Sequence, residues 1–213
     1  HALTGPVSII GAKAGDVLAV TIEKIEPAKV GWTQAGAFGF AADRFGTDEL
    51  FIVWRLNNRD AVSDALPDVR IPNRSFPGVV TTLPDRDFLT TVLARETELL
   101  KSGGSVFNPD PDEARPAQVC GPGGTHSSEC LRTVPPREQG GNMDIRYLTA
   151  GTTVYLPCMV DGCGLAVGDF HYAQGDGEVS GSAIEMGGSL TVTTRIATNP
   201  PDLSYGPHYE GPV

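Results

Sequence analysis

SLTVTTRI (189–196) alternates without a fault: Leu190, Val192, Thr194 and Ile196 fall on one side, Thr191, Thr193 and Arg195 on the other. Side chains along a strand point alternately to opposite faces, so this period of two reads as a β-strand with one covered face. DVLAVTIEKI (16–25) repeats the pattern, with Leu18, Val20 and Ile22 opposed to Ala19, Thr21 and Glu23, and Pro27 is expected to end that strand. Further short runs are VSII (7–10), LFIVWRL (50–56), IRYL (145–148), TVYLP (153–157) and GLAV (164–167), divided by Gly, Pro or Asp turns. VRIPNRSFPGVVTTLP (69–84) mixes extended pieces with prolines, and GWTQAGAFGFAADRFGTD (31–48) reads as an irregular loop. One helix is expected after Pro84, where Asp85 and Asp87 suit the positive end of the dipole. Phe88, Leu89, Val92, Leu93, Leu99 and Leu100 recur there at helical spacing before Gly103–Gly104. The fold class is therefore mainly β with few helices.

The rest of the 213 residues agrees. With 26 Gly and 17 Pro, turns are many, and an all-helical bundle is excluded. The formal charge of −10 excludes a coat for phosphate backbones or anionic lipid, which both reward clustered Lys and Arg. No apolar run approaches the roughly 18 residues that span a bilayer, so no membrane partner is expected. The chain opens at His1 rather than Met, with no basic stretch followed by an apolar one. One region over 1–213, part of a longer chain, is the expected organisation. Cys120, Cys130, Cys158 and Cys163 show no C-x2-C spacing, which argues against a zinc ribbon. They read as reduced cysteines, Cys158 in the core. Residues 102–141 have almost no apolar pattern and read as a long loop.

Chemistry concentrates in GGNMDIR (140–146) and VGDFHYAQGDGEVSGSAIE (167–185). In an extended strand Asp169 and His171 point the same way, and a turn at Gly175–Gly177 sets Asp176 and Glu178 on a common face. One imidazole among carboxylates suits a catalytic zinc or manganese ion, and oxygen ligands nearby suit calcium. The plainer alternative is a hairpin whose Asp-Gly pairs only make turns. Asn142 and Asp144 by themselves read as a turn, and Glu138 and Gln139 as surface. His126 reads as solvent-exposed, His208 is left open, and Trp32 with Phe38–Phe40 reads as packing or a pocket wall.

At these residues the chain resembles the acetamidase/formamidase family. The resemblance rests on HALTGP (1–6), GDVLAV (15–20), VPPREQGGNMD (134–144), LTAGTTVYLP (148–157) and residues 167–185, in one order along most of 1–185. The P-P-R-E-x-G-G-N form and AIEMGG (183–188) are closer to the formamidase branch. The resemblance implies a β-sandwich-like architecture, a cytoplasmic homo-oligomer, zinc at the centre and a possible second ion, calcium. It implies Asp144, Asp169, His171 and Glu178 around the metal, with His1 as a further ligand. It also implies Asn142 and Gln174 at the substrate, and Glu178 or Asp176 moving the proton. The implied reaction is hydrolysis of a short amide, formamide to formate and ammonia, with acetamide as a second substrate. The family's segment before H-x-L-T-G-P and its C-terminal region have no counterpart here, and 103–133 matches none of its motifs. Two other classes compete: a non-enzymatic calcium-binding β-sandwich module, and a copper site using His1 with His126 or His208.

Overall fold

The two alternating segments read first pair with each other. The computed structural model describes residues 1–36, 39–40, 42–104, 115–127 and 129–212. In it DVLAVTIEKI opens a 19-residue strand, β2 (Val17–Ala35), and SLTVTTRI closes a 12-residue strand, β10 (Glu185–Ile196). Their register sets Leu190 beside Ile25, Val192 beside Ile22, Thr194 beside Val20 and Ile196 beside Leu18. Residues 190, 192, 194 and 196 are half-buried while 191, 193 and 195 are exposed, as the alternation requires.

Nine further strands join these two. They are β1 (Leu3–Val7), β3 (Leu50–Leu56), β4 (Asp60–Ser63), β5 (Leu66–Pro72), β6 (Phe76–Thr81), β7 (Gly140–Asn142), β8 (Thr153–Pro157), β9 (Leu165–His171) and β11 (His208–Glu210). Among the described residues all eleven form one antiparallel network in the order β5-β4-β3-β2-β10-β9-β6-β7, with β1 on β9 and β11 on β8, which pairs with β2. The mainly β expectation holds. One apolar cluster gathers Leu18, Val20 and Ile22 with Phe76, Val80, Val154, Leu156 and Leu165. A second gathers Ile52, Trp54, Leu56, Ala61, Tyr172 and Ile184.

Several local expectations are corrected. Pro27 does not end β2. The strand pairs with β8 over Val17–Thr21 and with β3 over Val30–Ala35, so near Pro27 only β10 lies beside it. A residue without an N–H is tolerated where one side is unpaired, and the register slips there, between Met186 and Gly188. Residues 31–35 thus belong to a strand, and α1 (Ala42–Phe45) follows; Phe38 lies outside the described residues. In VSII only Val7 is in a strand, β1. IRYL is a turn: Leu148 N–H donates to Ile145 O at 3.0 Å and the Leu148 side chain is buried.

The expected helix is α2 (Arg86–Lys101), capped by Asp85, whose side chain accepts from the Phe88 N–H at 2.7 Å. A short α3 (Ala117–Cys120) lies within the long loop. The cysteines are not reduced. Cys120 pairs with Cys130 and Cys158 with Cys163, with Cα atoms 5.4 and 4.4 Å apart. Both separations lie in the range a disulfide bridges. Spacing alone did not reveal this, because each pair closes a turn that only the fold defines. Among the described residues no helix is long and apolar enough to cross a membrane.

Candidate functional site

Residues opposite each other on neighbouring strands point to the same face. Phe76 of β6 lies opposite His171 of β9, and His171 opposite Glu185 of β10. Glu185 lies opposite Trp32 of β2, and Trp32 opposite Val53 of β3. One row across five strands therefore sets the imidazole beside a carboxylate and, one strand farther, beside an indole. Asp169, two residues before His171, shares that face. The buried His171 ring stands edge-on to Phe76, with centroids 5.1 Å apart.

Loops supply the other carboxylates. Asp144 follows β7, its N–H donating to Gly78 O at 3.2 Å. Glu178 ends a 3₁₀ turn, Asp176–Glu178. Asp144, Asp169 and Glu178 are three of the four non-glycine residues with positive φ among those described. That backbone is strained for L residues and persists where surroundings enforce it, often at functional sites.

His171 Nε2 lies 3.5 Å from Asp169 Oδ2 and 3.3 Å from Glu185 Oε2, and Nδ1 lies 4.0 Å from Asp144 Oδ1. His1 Nδ1 is 2.9 Å from Asp169 Oδ1, and the His1 amino group donates to Thr133 Oγ1 at 2.8 Å. Gln174 Nε2 donates to Asp144 O at 2.8 Å, which turns its Oε1 toward His171 Nδ1, also at 2.8 Å. His171 must then donate from Nδ1. Its Nε2 faces two carboxylates and needs either a proton or a cation between them.

The titrations express that demand. Burial pulls His171 down, but Asp169 and Glu185 outweigh it and push it up to about 11. Burial pushes Asp169 up, but hydrogen bonds with His1 and His171 hold it well below the usual carboxylate range. Asp144 is pushed up to about 6, by burial first. Glu178 is pushed up to about 7 by burial and then by Asp144. His1 is raised by its hydrogen bond with Asp169.

Candidate ligand atoms of Asp144, Asp169 and His171 lie within 4.8 Å of one another, as do those of His171, Glu178 and Glu185. The buried Asp144 Oδ1 and Asn142 Oδ1 have no hydrogen-bond partner among the described residues. One imidazole, several carboxylates and an unpartnered buried oxygen fit a divalent cation.

The fold brings Asp144, Asp169, His171, Glu178 and His1 together. It does not gather Asp176. That side chain is 70% exposed and pairs with Arg146 at 2.7 Å. Positive φ at Gly177 and Glu178 breaks the assumed common face, so neighbours in sequence diverge. Asn142 and Gln174 line the cleft, and both also hold Asp144: Asn142 Nδ2 donates to Asp144 Oδ2 at 2.7 Å. Gln139, expected at the surface, is buried. His126 bonds Thr125 on an exposed turn and His208 pairs with Glu210, so neither joins His1. Glu185 was not among the expected ligands. Its sequence signal was its place in the acidic segment 167–185, with Asp169, His171, Asp176 and Glu178, where it was given no role.

A cleft of about 960 Å³ opens over the cluster, lined by His1, Asp144, Asp169, Glu178 and Glu185 and by apolar residues that include Trp32, Phe40 and Met143.

A family model described as the Acetamidase/Formamidase family matches residues 1–203. The acetamidase of Mycolicibacterium smegmatis is 35% identical over 94% of this chain and 57% of its own. The formamidase of Methylophilus methylotrophus is 34% identical over 92% of this chain and 51% of its own. The solved γ-lactamase from Delftia acidovorans superposes with a TM-score of 0.83 at 31% identity, covering 98% of this chain and 55% of that one. The chain thus spans little more than half the length of the relatives it matches.

Proposed function

The chain belongs to the acetamidase/formamidase family, and from that membership and the geometry around His171 we propose that it hydrolyses the C–N bond of an amide. The observation that carries the reading is the buried His171, its Nε2 between Asp169 and Glu185, grouped with Asp144 and Glu178 beneath a cleft that these four carboxylates line. The matched relatives are named for acetamide, formamide and a γ-lactam, and all three contain an amide C–N bond. Formamide and acetamide are the first substrates to test.

Asp144, Asp169, His171 and Glu185, with His1 beside Asp169, would hold a divalent cation, zinc first. Such an ion polarises a carbonyl and makes water a stronger acid. Calcium takes oxygen ligands, so a central imidazole argues against the calcium-module alternative and leaves calcium as a second ion. Gln174 fixes the imidazole with Nε2 toward the carboxylates. Asn142 fixes Asp144. Glu178, raised to about 7, suits a group that accepts a proton from water and returns it to the departing nitrogen. The water oxygen bonds to the acyl carbon, the C–N bond breaks, and the amine, or ammonia from a primary amide, leaves.

A homo-oligomer remains the expected assembly, to be read from light scattering. The expected cytoplasmic site has an opposing argument, because two disulfides persist more readily in oxidising compartments. The deciding experiment is ammonia release from formamide and acetamide by zinc-loaded protein, with His171→Ala as control. Release that the substitution abolishes supports the reading. No release from a folded, zinc-containing sample defeats it.

A further inference from the structure

The cleft is far larger than the amides that name the family. A three-heavy-atom amide fills about the space of two or three waters, at about 30 Å³ each, roughly a tenth of the 960 Å³ here. Beyond the acids, the amides Asn142 and Gln174 and three glycines, the cleft's lining is mostly apolar, with Trp32, Phe40, Val134, Pro135, Pro136 and Met143 beside the polar Gln34 and Ser182. Trp32 is 42% exposed and Phe40 83% exposed, and both line the same cleft as the half-buried Asp144, Asp169, Glu178 and Glu185.

Register fixes where this surface begins. Trp32 lies directly across from Glu185, which lies directly across from His171. With strands about 4.8 Å apart, the indole stands roughly 10 Å from the imidazole along one row of the sheet. Both sides of this surface are held. The Trp32 ring stacks on Phe51, with centroids 5.8 Å apart and planes 16° from parallel. Pro135 is fixed from behind by Arg137, whose Nη1 donates to Pro135 O at 3.1 Å and to Arg132 O at 2.9 Å. The Arg137 Nε in turn donates to Glu96 Oε1 of α2 at 2.7 Å. Where Trp32 and Pro135 are held in place, little side-chain freedom is lost when an apolar ligand binds against them.

Resting on the amide-hydrolase reading, we infer that the preferred substrates are amides with an apolar acyl group of phenyl or short-alkyl size, which lies over Glu185 against Trp32. Trp32 and Phe40 are the specificity-determining residues. The carbonyl and nitrogen stay at the His171 cluster, and only the distal group reaches the indole.

The test is kcat/KM for formamide, acetamide, hexanamide and phenylacetamide with the zinc-loaded protein. Each buried methylene adds about three- to fourfold, so hexanamide and phenylacetamide should exceed acetamide by at least tenfold. In Trp32→Ala the ratio of phenylacetamide to formamide should fall at least tenfold, with Phe40→Ala lowering it in the same direction. Turnover of formamide with a flat or falling series overturns the inference and leaves the hydrolase reading intact. Absence of turnover on every amide defeats the hydrolase reading, and calorimetric binding of phenylacetamide then decides the pocket. Binding weakened tenfold by Trp32→Ala supports the apolar site, and no binding overturns it.

Discussion

Glu178 and Asp144 are both raised carboxylates, yet their surroundings assign them different work. Asp144 is fixed on three sides, by Asn142, by Gln174 and by its N–H to Gly78, and its Oδ1 is unpartnered among the described residues. That is how a ligand oxygen is presented. Glu178 stands at the end of a turn bounded by Gly175, lines the cleft, and is held near 7, where a proton can be both taken and given. Glu178→Gln is therefore expected to lower kcat by about 10²–10⁴-fold while the cation content stays near that of the parent protein. Asp144→Asn should lose the cation as well as the activity. Ammonia assays with elemental analysis of the same samples check both. Equal cation loss in the two variants would make Glu178 a ligand and return the proton transfer to another group.

At the level of elements, the site depends on a glycine that keeps β6 close to the acids. A Cβ on Gly78 would stand 2.7 Å from Asp144 Oδ1, 2.9 Å from Asp169 O and 3.0 Å from Asp169 Oδ2. Glycine is needed there for space, since every neighbour is a ligand candidate or its backbone. Gly78→Ala forces the Asp144 carboxylate and the backbone at Asp169 to give way, and unchanged disulfides and circular dichroism check that the shift stays local. Cation affinity should nevertheless fall by about 10–100-fold, the usual effect of disturbing what orients a ligand. Titration of the apo variant with zinc reads this directly. The same row of strands explains what the sequence could disclose. Alternation in 16–25 and 189–196 was enough to place two central strands, and D-x-H in β9 was enough to place two site residues on one face. Glu185 stood in the acidic segment 167–185 without a role, because its place opposite His171 is a fact of pairing between segments, which no single segment states. Asp176 misled for the complementary reason: D-x-E looks like one face only until Gly177 and Glu178 take positive φ. Pro27 misled because its tolerance depends on which side of β2 is unpaired. The cysteine pairs were hidden in the same way.

For the whole molecule, the cluster links stability to pH and to the cation together. An unfolded Glu ionises near 4.3 and an unfolded Asp near 3.9, whereas folded Glu178 and Asp144 ionise at about 7 and about 6. Between each pair of values the folded chain keeps a proton that the unfolded chain has released, so rising pH removes stability there. His171, raised to about 11, contributes fully below its unfolded value of about 6.5 and loses that contribution as pH climbs. His1, also raised, acts in the same direction. Asp169 acts oppositely: held below its usual range, it contributes above about pH 3.9 and loses that as acid is added. The cation-free protein should therefore be most stable near pH 4–5, and weaken steadily toward pH 8. Cation binding requires deprotonated ligands, so its stabilisation grows along the same axis. At a free concentration of about 100 times Kd it supplies about 2.7 kcal/mol. At about 2–4 °C per kcal/mol for a chain of this size, that is a rise of roughly 5–11 °C in Tm. Thermal unfolding with zinc and with a chelator, each at pH 5 and pH 8, measures it. The expected result is a gap that widens from pH 5 to pH 8, mainly through the fall of the chelated sample. A gap of equal size at both values would mean that the buried carboxylates and His171 are not the groups the cation displaces protons from.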